Sequence, residues 1–213
     1  MGEIDITKKE KQDQTFKDKL IINFYDFASV LATAIVTIMI IFTFLFRVVG
    51  VEGTSMLQTL QDDDWLIISA YNHKPEYGQV VIITQPNWFN EPIVKRIIAT
   101  ENQTVDIDFD TGAVYVDGQE LDEPYINNLT LNKSEVDFPL TVPEGHVFVM
   151  GDNRQGSSDS RSDKIGFIRE EYILGVAKLR PINYDAAAYG NSKKLSFYPI
   201  SEWKIEKAEL KTK

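Results

Sequence analysis

The stretch QVVIITQPNWFNEPIVKRIIA, from Gln79 to Ala99, decides the fold of this chain. It contains two short runs rich in Val and Ile, Gln79–Thr84 and Ile93–Ala99, and such β-branched residues favour strands. The segment between the runs holds Pro and Asn, which mark turns and loops. The stretch therefore predicts two β-strands separated by a loop.

The same pattern recurs on both sides of this stretch. Further predicted strands are Trp65–Tyr71, Thr104–Asp108, Ala113–Val116 and Val147–Met150. Gly, Pro, Asn and Asp separate them, and no helical pattern of about 10 to 15 residues intervenes. Lys164–Ile182 predicts one short helical or turn element that leads into a last strand. These features favour a mostly antiparallel β domain.

An uncharged apolar run, FASVLATAIVTIMIIFTFLF, occupies Phe27–Phe46 and is about as long as a helix needs to cross roughly 30 Å of hydrocarbon. A cleavable signal has a shorter apolar region, of about 7 to 15 residues, and a small-residue cleavage site. We therefore expect an uncleaved transmembrane helix. The predicted order is a tail (residues 1–26), the membrane helix (27–48), a β domain (49–185) and a C-terminal tail (186–213).

Basic residues flank this helix unequally. The lysines that precede it are Lys8, Lys9, Lys11, Lys17 and Lys19. After Arg47, the next basic residue is Lys74. Because Lys and Arg accumulate on the cytoplasmic side of membrane helices, this asymmetry predicts a cytoplasmic N-terminus and an extracytoplasmic β domain in a single-pass protein.

Composition excludes several classes of function. The net charge of −10 argues against a nucleic-acid partner, since phosphate contacts need clustered Lys and Arg. The absence of Cys excludes disulfides and thiolate chemistry. Asp106, Asp108 and Asp110 alternate as in a calcium loop, but Thr111 and Asp117 stand where Gly and Glu are needed. We therefore expect an acidic hairpin there, and neither a metal nor a cofactor.

Lys95 is the candidate base. Strand alternation places it on one face with Ile93 and Ile97, opposite Arg96. If the Lys95 face is buried, desolvation disfavours the ammonium, lowers its pKa and leaves an amine that can accept a proton. The alternative is an edge-strand lysine that extends its amine to water.

Two polar segments complete the set of candidates. Ser55, in VEGTSMLQTL, is by itself an ordinary turn residue. The segment MGDNRQGSSDSR, Met150–Arg161, is unusually dense in charged and hydroxyl side chains. It predicts either a solvated loop or a buried polar network in which every donor must find an acceptor.

With these three segments in this order behind one membrane anchor, the chain resembles the bacterial type I signal peptidases, which are membrane-bound serine proteases that remove signal peptides from exported preproteins. The segments that carry the resemblance are GTSMLQTL, GQVVI, IVKRII, GDNRQGSSDSR, GFI and GVAKLRPI, and it covers roughly Phe27 to Ile182. It implies an antiparallel coiled-sheet catalytic domain of the signal-peptidase or LexA-like type in the bacterial cell membrane. It also implies preprotein substrates with small residues at the first and third positions before the cut.

The resemblance also implies roles for individual residues. Ser55 would be the nucleophile and Lys95 the general base, oriented by a hydrogen bond from Ser157. Asp159 and Arg161 would form a structural ion pair in the loop. The Ser55 backbone N–H, with help from the region of Gly53, would stabilise the oxyanion.

Two departures from the family pattern leave an alternative open. The family usually has Pro where this chain has Gln58, and a different turn where it has Ala99–Gln103. The alternative is a catalytically weak relative that assembles surface proteins or pili.

The membrane run also constrains the site. The residues between Phe46 and Ser55 can span at most about 30 Å at roughly 3.3 Å each, so Ser55 should lie near the bilayer surface. We expect Trp88 and Phe89 in the loop QPNWFNEP to dip into the lipid interface.

Overall fold

The computed structural model describes residues 3–44, 46–70, 74–86, 91–133, 135–184 and 193–199. The chain divides into two compact units, Met1–Leu45 and Phe46–Lys213. Trp88, Phe89 and most of the predicted C-terminal tail lie outside the described residues.

The first unit is one long helix, α1, Glu3–Phe44. No Gly or Pro interrupts these residues, so nothing breaks the backbone hydrogen-bond ladder. Within it, Lys19–Ile40 has a mean hydropathy of 1.7 over 22 residues, which is long and apolar enough to cross a membrane. The predicted helix of residues 27–48 needs correction at both ends. The helix begins far earlier, and residues from Phe46 onward form a strand because they pair with a neighbouring strand.

The second unit consists of antiparallel strands in two sheets. The strands are β1 (Phe46–Gly50), β2 (Trp65–Ala70), β3 (Val80–Ile83), β4 (Ile93–Ala99), β5 (Thr104–Asp108), β6 (Ala113–Val116), β7 (Gln119–Glu120), β8 (Leu140–Thr141), β9 (His146–Met150), β10 (Ile168–Arg169), β11 (Ile173–Tyr184) and β12 (Lys193–Pro199). The large sheet has the order β1-β2-β11-β3-β4-β9-β10, with β12 beside β11, and the small sheet has the order β7-β6-β5-β8. The predicted fold class, mostly antiparallel β behind one apolar helix, is confirmed.

Most predicted strands match the observed bounds because Val and Ile mark them clearly. Ile93–Ala99, Thr104–Asp108 and Ala113–Val116 are observed as predicted. Lys164–Ile182 contains a 3₁₀ turn, Glu170–Tyr172, that leads into β11. The sequence did not predict β12, which lies in the predicted tail and pairs with the end of β11.

The turn after β4 contains one of the two departures from the family pattern, Ala99–Gln103. Gln103 Oε1 accepts hydrogen bonds from Thr100 N at 2.9 Å and from Thr100 Oγ1 at 3.0 Å. Asn102 takes a positive φ of 66°, a conformation that Asn tolerates well. The chain therefore closes this turn with its own side chains.

The core lies on both faces of the central strands. One apolar cluster holds residues of β3, β4, β9 and β11, including Val81 and Ile97. A second joins the large sheet to the small one through Phe148 and Val105. A third contains Met56 and is formed by the segment after β1 together with β2 and β3. The segment that carries Ser55 is therefore part of the core.

A close backbone approach joins the small sheet to the connection between β7 and β8. Gly112, at a φ of +80°, faces Leu129 so closely that an added Cβ would lie 2.7 Å from Leu129 Cβ and 3.0 Å from Thr130 N. Gly118 has a similar φ of +77°, but an added Cβ would meet nothing within 4 Å. Gly112 therefore lets this connection pack on the sheet.

These two glycines give a matched pair of variants. Both Gly112→Ala and Gly118→Ala place Ala in the left-handed region, which costs each about 1 kcal/mol. Only Gly112→Ala adds a steric clash, worth about 1 to 3 kcal/mol more. Thermal unfolding of the full chain in detergent, followed by near-UV circular dichroism, should show a lower Tm for Gly112→Ala. Equal Tm values for the two variants would contradict this packing.

Candidate active site

Ser55 lies in a closed loop between β1 and β2. The two ends of this loop meet, since Val51 N donates to Asp64 O at 2.8 Å and Asp63 N donates to Val51 O at 3.0 Å. Met56 and Leu60 are 2% and 1% exposed and anchor the loop in the core. Ser55 itself is half-buried, so the core fixes its backbone while its side chain stays accessible.

Lys95 projects from β4 and forms a hydrogen-bonded dyad with this serine. Its Nζ lies 2.8 Å from Ser55 Oγ and donates a hydrogen bond to Val94 O at 3.0 Å. Only 3% of Lys95 is exposed, because β4 is an inner strand between β3 and β9. The Lys95 face is thus the buried one, and the snorkelling alternative is wrong.

This burial changes the acidity of the amine. Desolvation lowers the pKa of Lys95 to about 8, against the opposing pull of the Asp159 and Asp152 carboxylates. The Arg161 guanidinium lowers it further. At neutral pH roughly a tenth of the molecules then carry a neutral amine, compared with about one in 2,500 for an ordinary lysine.

The loop after β9 is a buried network. Arg161 donates through Nε to Asp159 Oδ1 and through Nη2 to Asp159 Oδ2, both at 2.8 Å. Gly151 N donates to Asp159 Oδ2 at 2.9 Å. Burial would raise the pKa of Asp159, but these bonds hold it below its ordinary value. Asp159 and Arg161 therefore form the expected ion pair, which fixes the loop on Gly151.

The predicted hydrogen bond from Ser157 to the Lys95 amine is not formed. Ser157 Oγ is buried and has no hydrogen-bond partner of ordinary geometry among the described residues. Its hydroxyl lies close enough to Asp159 to lower the pKa of that carboxyl. The Lys95 amine instead meets Ser55 Oγ and Val94 O. Ser157 therefore lies close to Asp159 and does not orient the Lys95 amine in this structure.

The region of Gly53 also differs from the expectation. Gly53 N donates to Asp62 Oδ1 at 2.7 Å, so this N–H is already engaged. Gly53 has a φ of +88°, which turns the chain just before the serine. Within the described part of the chain, no group accepts a hydrogen bond from Ser55 N. The Ser55 N–H is therefore available to donate a hydrogen bond to a bound group.

The sequence did not predict the role of two residues, Asn153 and Gly151, that contact the backbone of the serine loop. Asn153 N donates to Ser55 O at 3.0 Å, and Asn153 Nδ2 donates to Thr54 O at 3.1 Å. Gly151 packs against the same carbonyl, since an added Cβ would lie 2.5 Å from Ser55 O and 2.2 Å from Ser157 Oγ. The only signal in the sequence was the density of polar residues in this loop.

A buried ion pair lies next to the dyad. Arg96 follows Lys95 in β4 and donates through Nε to Asp152 Oδ1 at 2.8 Å and through Nη2 to Asp152 Oδ2 at 2.6 Å. Thr59 Oγ1 donates to the same carboxylate. Asp152 and Arg96 are 0% and 1% exposed. This pair ties the lysine strand, the serine loop and the loop after β9 together.

The dyad opens into a cleft of about 630 Å³. Residues 49–53 and 91–95 form two of its walls, with Ile82 at its side. Two chain segments flanking an open groove leave room for an extended peptide. The described residues hold no group of three His, Cys, Asp or Glu side chains that could bind a metal ion.

Comparison with known proteins assigns the family. The signal peptidase family, peptidase S26, matches residues 24–182. Signal peptidase I of Bacillus amyloliquefaciens is 36% identical over 168 residues, which cover 73% of this chain and 83% of that protein. Signal peptidase I T of Bacillus subtilis (strain 168) is 35% identical over 187 residues, which cover 80% and 91%.

A solved structure gives a further comparison. The crystal structure of a signal peptidase I from Enterococcus faecalis V583 is 30% identical, with a TM-score of 0.41, and the match covers 50% of this chain and 98% of that chain. The family match covers most of the chain, and the two Bacillus relatives are at least 35% identical over more than two thirds of it. The chain therefore belongs to the signal peptidase family, peptidase S26.

Proposed function

We propose that Ser55 and Lys95 are the catalytic dyad of this signal peptidase, a serine endopeptidase, and that it removes signal peptides from exported preproteins. The observation that carries the proposal is the buried Lys95 amine 2.8 Å from Ser55 Oγ. A serine hydroxyl becomes a nucleophile when a base within hydrogen-bond reach takes its proton. Lysine is a known alternative to histidine in this role.

The reaction proceeds in two stages. As Ser55 Oγ attacks the scissile carbonyl, the neutral Lys95 amine takes its proton, and Ser55 N–H stabilises the oxyanion. The lysine ammonium then gives this proton to the leaving amine, so that an acyl-enzyme and the mature protein are formed. A water molecule gives its proton to the same amine and attacks the ester. The ammonium then returns this proton to Ser55 Oγ as the ester bond breaks, which releases the signal peptide and restores the neutral amine.

The substrate class follows from the relatives and agrees with the cleft. The relatives compared above are named signal peptidases. The cleft walls at residues 49–53 and 91–95 suit an extended chain, and Ile82 also lines the cleft. From the membership of the family, we infer a preference for small residues at the first and third positions before the cut. Ser55 follows the apolar run closely in sequence, which suits a substrate whose signal segment is itself a membrane helix.

The rival function, an assembly factor without strong catalysis, has no support from the relatives compared above. Gln58, one of the two departures that left it open, donates through Nε2 to Asn127 Oδ1 at 2.9 Å. This contact attaches the serine loop to the connection between β7 and β8. The departure from Pro at this position therefore leaves the dyad assembled.

The dyad is tested by preprotein processing in detergent with wild type, Ser55→Ala and Lys95→Ala. Each substitution should reduce kcat by at least about 10³-fold, because the two residues act as a unit. Lys178→Ala, which alters an exposed lysine, should process at the wild-type rate. The base must be neutral, so kcat/KM of wild type should rise with pH up to about 8 and then level off. Processing that survives Ser55→Ala or Lys95→Ala would exclude the dyad, and an inactive wild type would favour the assembly role.

Membrane orientation is the second part of the proposal. The lysines before the apolar part of α1 support a cytoplasmic N-terminus and an extracytoplasmic catalytic domain. The chain has no Cys, so single cysteines can report the side of the membrane without background.

In intact spheroplasts, a membrane-impermeant maleimide should label Asn128→Cys and leave Gln12→Cys unlabelled until the membrane is dissolved. The reverse pattern would invert the orientation. Labelling of both positions in sealed cells would mean that α1 does not separate the two sides.

A further inference from the structure

The connection between β7 and β8 contains a segment, Asp122–Thr130, that we call the strap. It contacts each of the three segments that form the site. Asn127 accepts a hydrogen bond from Gln58 in the serine loop, and Tyr125 covers Arg96 in the lysine strand. Glu123 and Thr130 both bind Arg154 in the loop after β9. The strap therefore contacts the serine loop, the lysine strand and the loop after β9.

The strongest of these contacts is the ion pair between Glu123 and Arg154. Arg154 Nη1 donates to Glu123 Oε2 at 2.7 Å and Nη2 donates to Glu123 Oε1 at 2.6 Å. The side chains are 0% and 6% exposed for Arg154 and Glu123. Two parallel bonds fix the plane of the guanidinium as well as its position. The third nitrogen, Nε, then donates to Gly151 O at 3.1 Å.

Gly151 and the two residues after it are the part of the loop that holds the serine backbone. Gly151 packs against Ser55 O, and Asn153 donates to Ser55 O and Thr54 O. Between them, Asp152 O accepts a hydrogen bond from Asn127 N of the strap at 2.9 Å. The strap thus binds the carbonyl of Asp152 directly and that of Gly151 through Arg154, and Gly151–Asn153 in turn fixes the backbone of Ser55.

Tyr125 connects the ion pair to the lysine strand. Its ring lies 4.0 Å from the Arg96 guanidinium, and its hydroxyl donates to Glu123 Oε1 at 2.9 Å. A cation over an aromatic face is attracted by the ring quadrupole, more so where water is excluded, and Tyr125 is 5% exposed. Glu123 therefore shares one buried network with the arginine next to Lys95.

We propose that Glu123 is a positioning residue for the serine nucleophile and acts through Arg154 and Gly151. The inference rests on the proposed Ser55–Lys95 chemistry. Without the Glu123 carboxylate, Arg154 loses its fixed plane, and Gly151 O loses an aligned donor. Ser55 N–H and Oγ then lose their alignment with the substrate carbonyl. Because the strap lines no part of the cleft, the change falls on kcat and leaves KM nearly unchanged.

The test uses the full chain in detergent with four variants at a temperature where each is folded. Glu123→Gln should lower kcat by about 10- to 100-fold, since a misplacement of about 1 Å can cost about 100-fold, with KM within about 3-fold of wild type. Glu123→Asp, which keeps the charge, should recover part of kcat. Glu120→Gln, an exposed glutamate on β7, is the matched control and should leave kcat unchanged.

The fourth variant separates positioning from stability. Glu123→Gln leaves a buried arginine unpaired, so its Tm should fall. The double variant Glu123→Gln/Arg154→Met removes both charges and should recover Tm, but not kcat, because the methionine side chain cannot donate to Gly151 O in place of the Arg154 guanidinium. Recovery of kcat together with Tm would mean that the pair serves stability alone and would overturn the inference.

Two outcomes distinguish the inference from the function on which it rests. Wild-type kcat in folded Glu123→Gln, together with an inactive Ser55→Ala, would overturn the role of Glu123 alone. An active Ser55→Ala would remove the function itself.

Discussion

The burial of one amine against one hydroxyl is the constraint on which the rest of the structure depends. Lys95 must be sheltered from water to be neutral, yet its Nζ must reach Ser55 Oγ. An inner strand of the large sheet meets both needs, because the neighbouring strands exclude water while the Lys95 side chain reaches the serine loop.

Buried arginine–carboxylate pairs hold the segments that meet at this point. Arg96–Asp152 and Arg161–Asp159 lie nearest the lysine, Arg154–Glu123 joins the strap, and Arg180–Asp64 secures the serine loop. Buried pairs contribute little net stability, but they fix geometry tightly. They also help to keep the pKa of Lys95 low, because Asp152 and Asp159 would raise it more strongly if no arginine shared their charge.

The sequence predicted the features that depend on local pattern. Val and Ile defined the strands around Lys95, and the order of the polar segments carried the family resemblance that led to the proposed Ser55–Lys95 dyad. Contacts between distant residues left no such pattern. The pairing of Glu123 with Arg154 and the approach of Gly151 to Ser55 O arise only once the chain is folded. Strand β1 was hidden because its first residue continues the apolar run, so composition could not separate helix from strand.

The most direct test of this account is the titration of the Lys95 amine by NMR in the full chain, with ¹³C- and ¹⁵N-labelled lysine. The resonance is assigned by its loss in Lys95→Met. A midpoint near pH 8 is predicted, because burial outweighs the two neighbouring carboxylates. A midpoint at the ordinary lysine value, about 10.4, would mean that the amine is charged throughout the physiological range and cannot serve as the base.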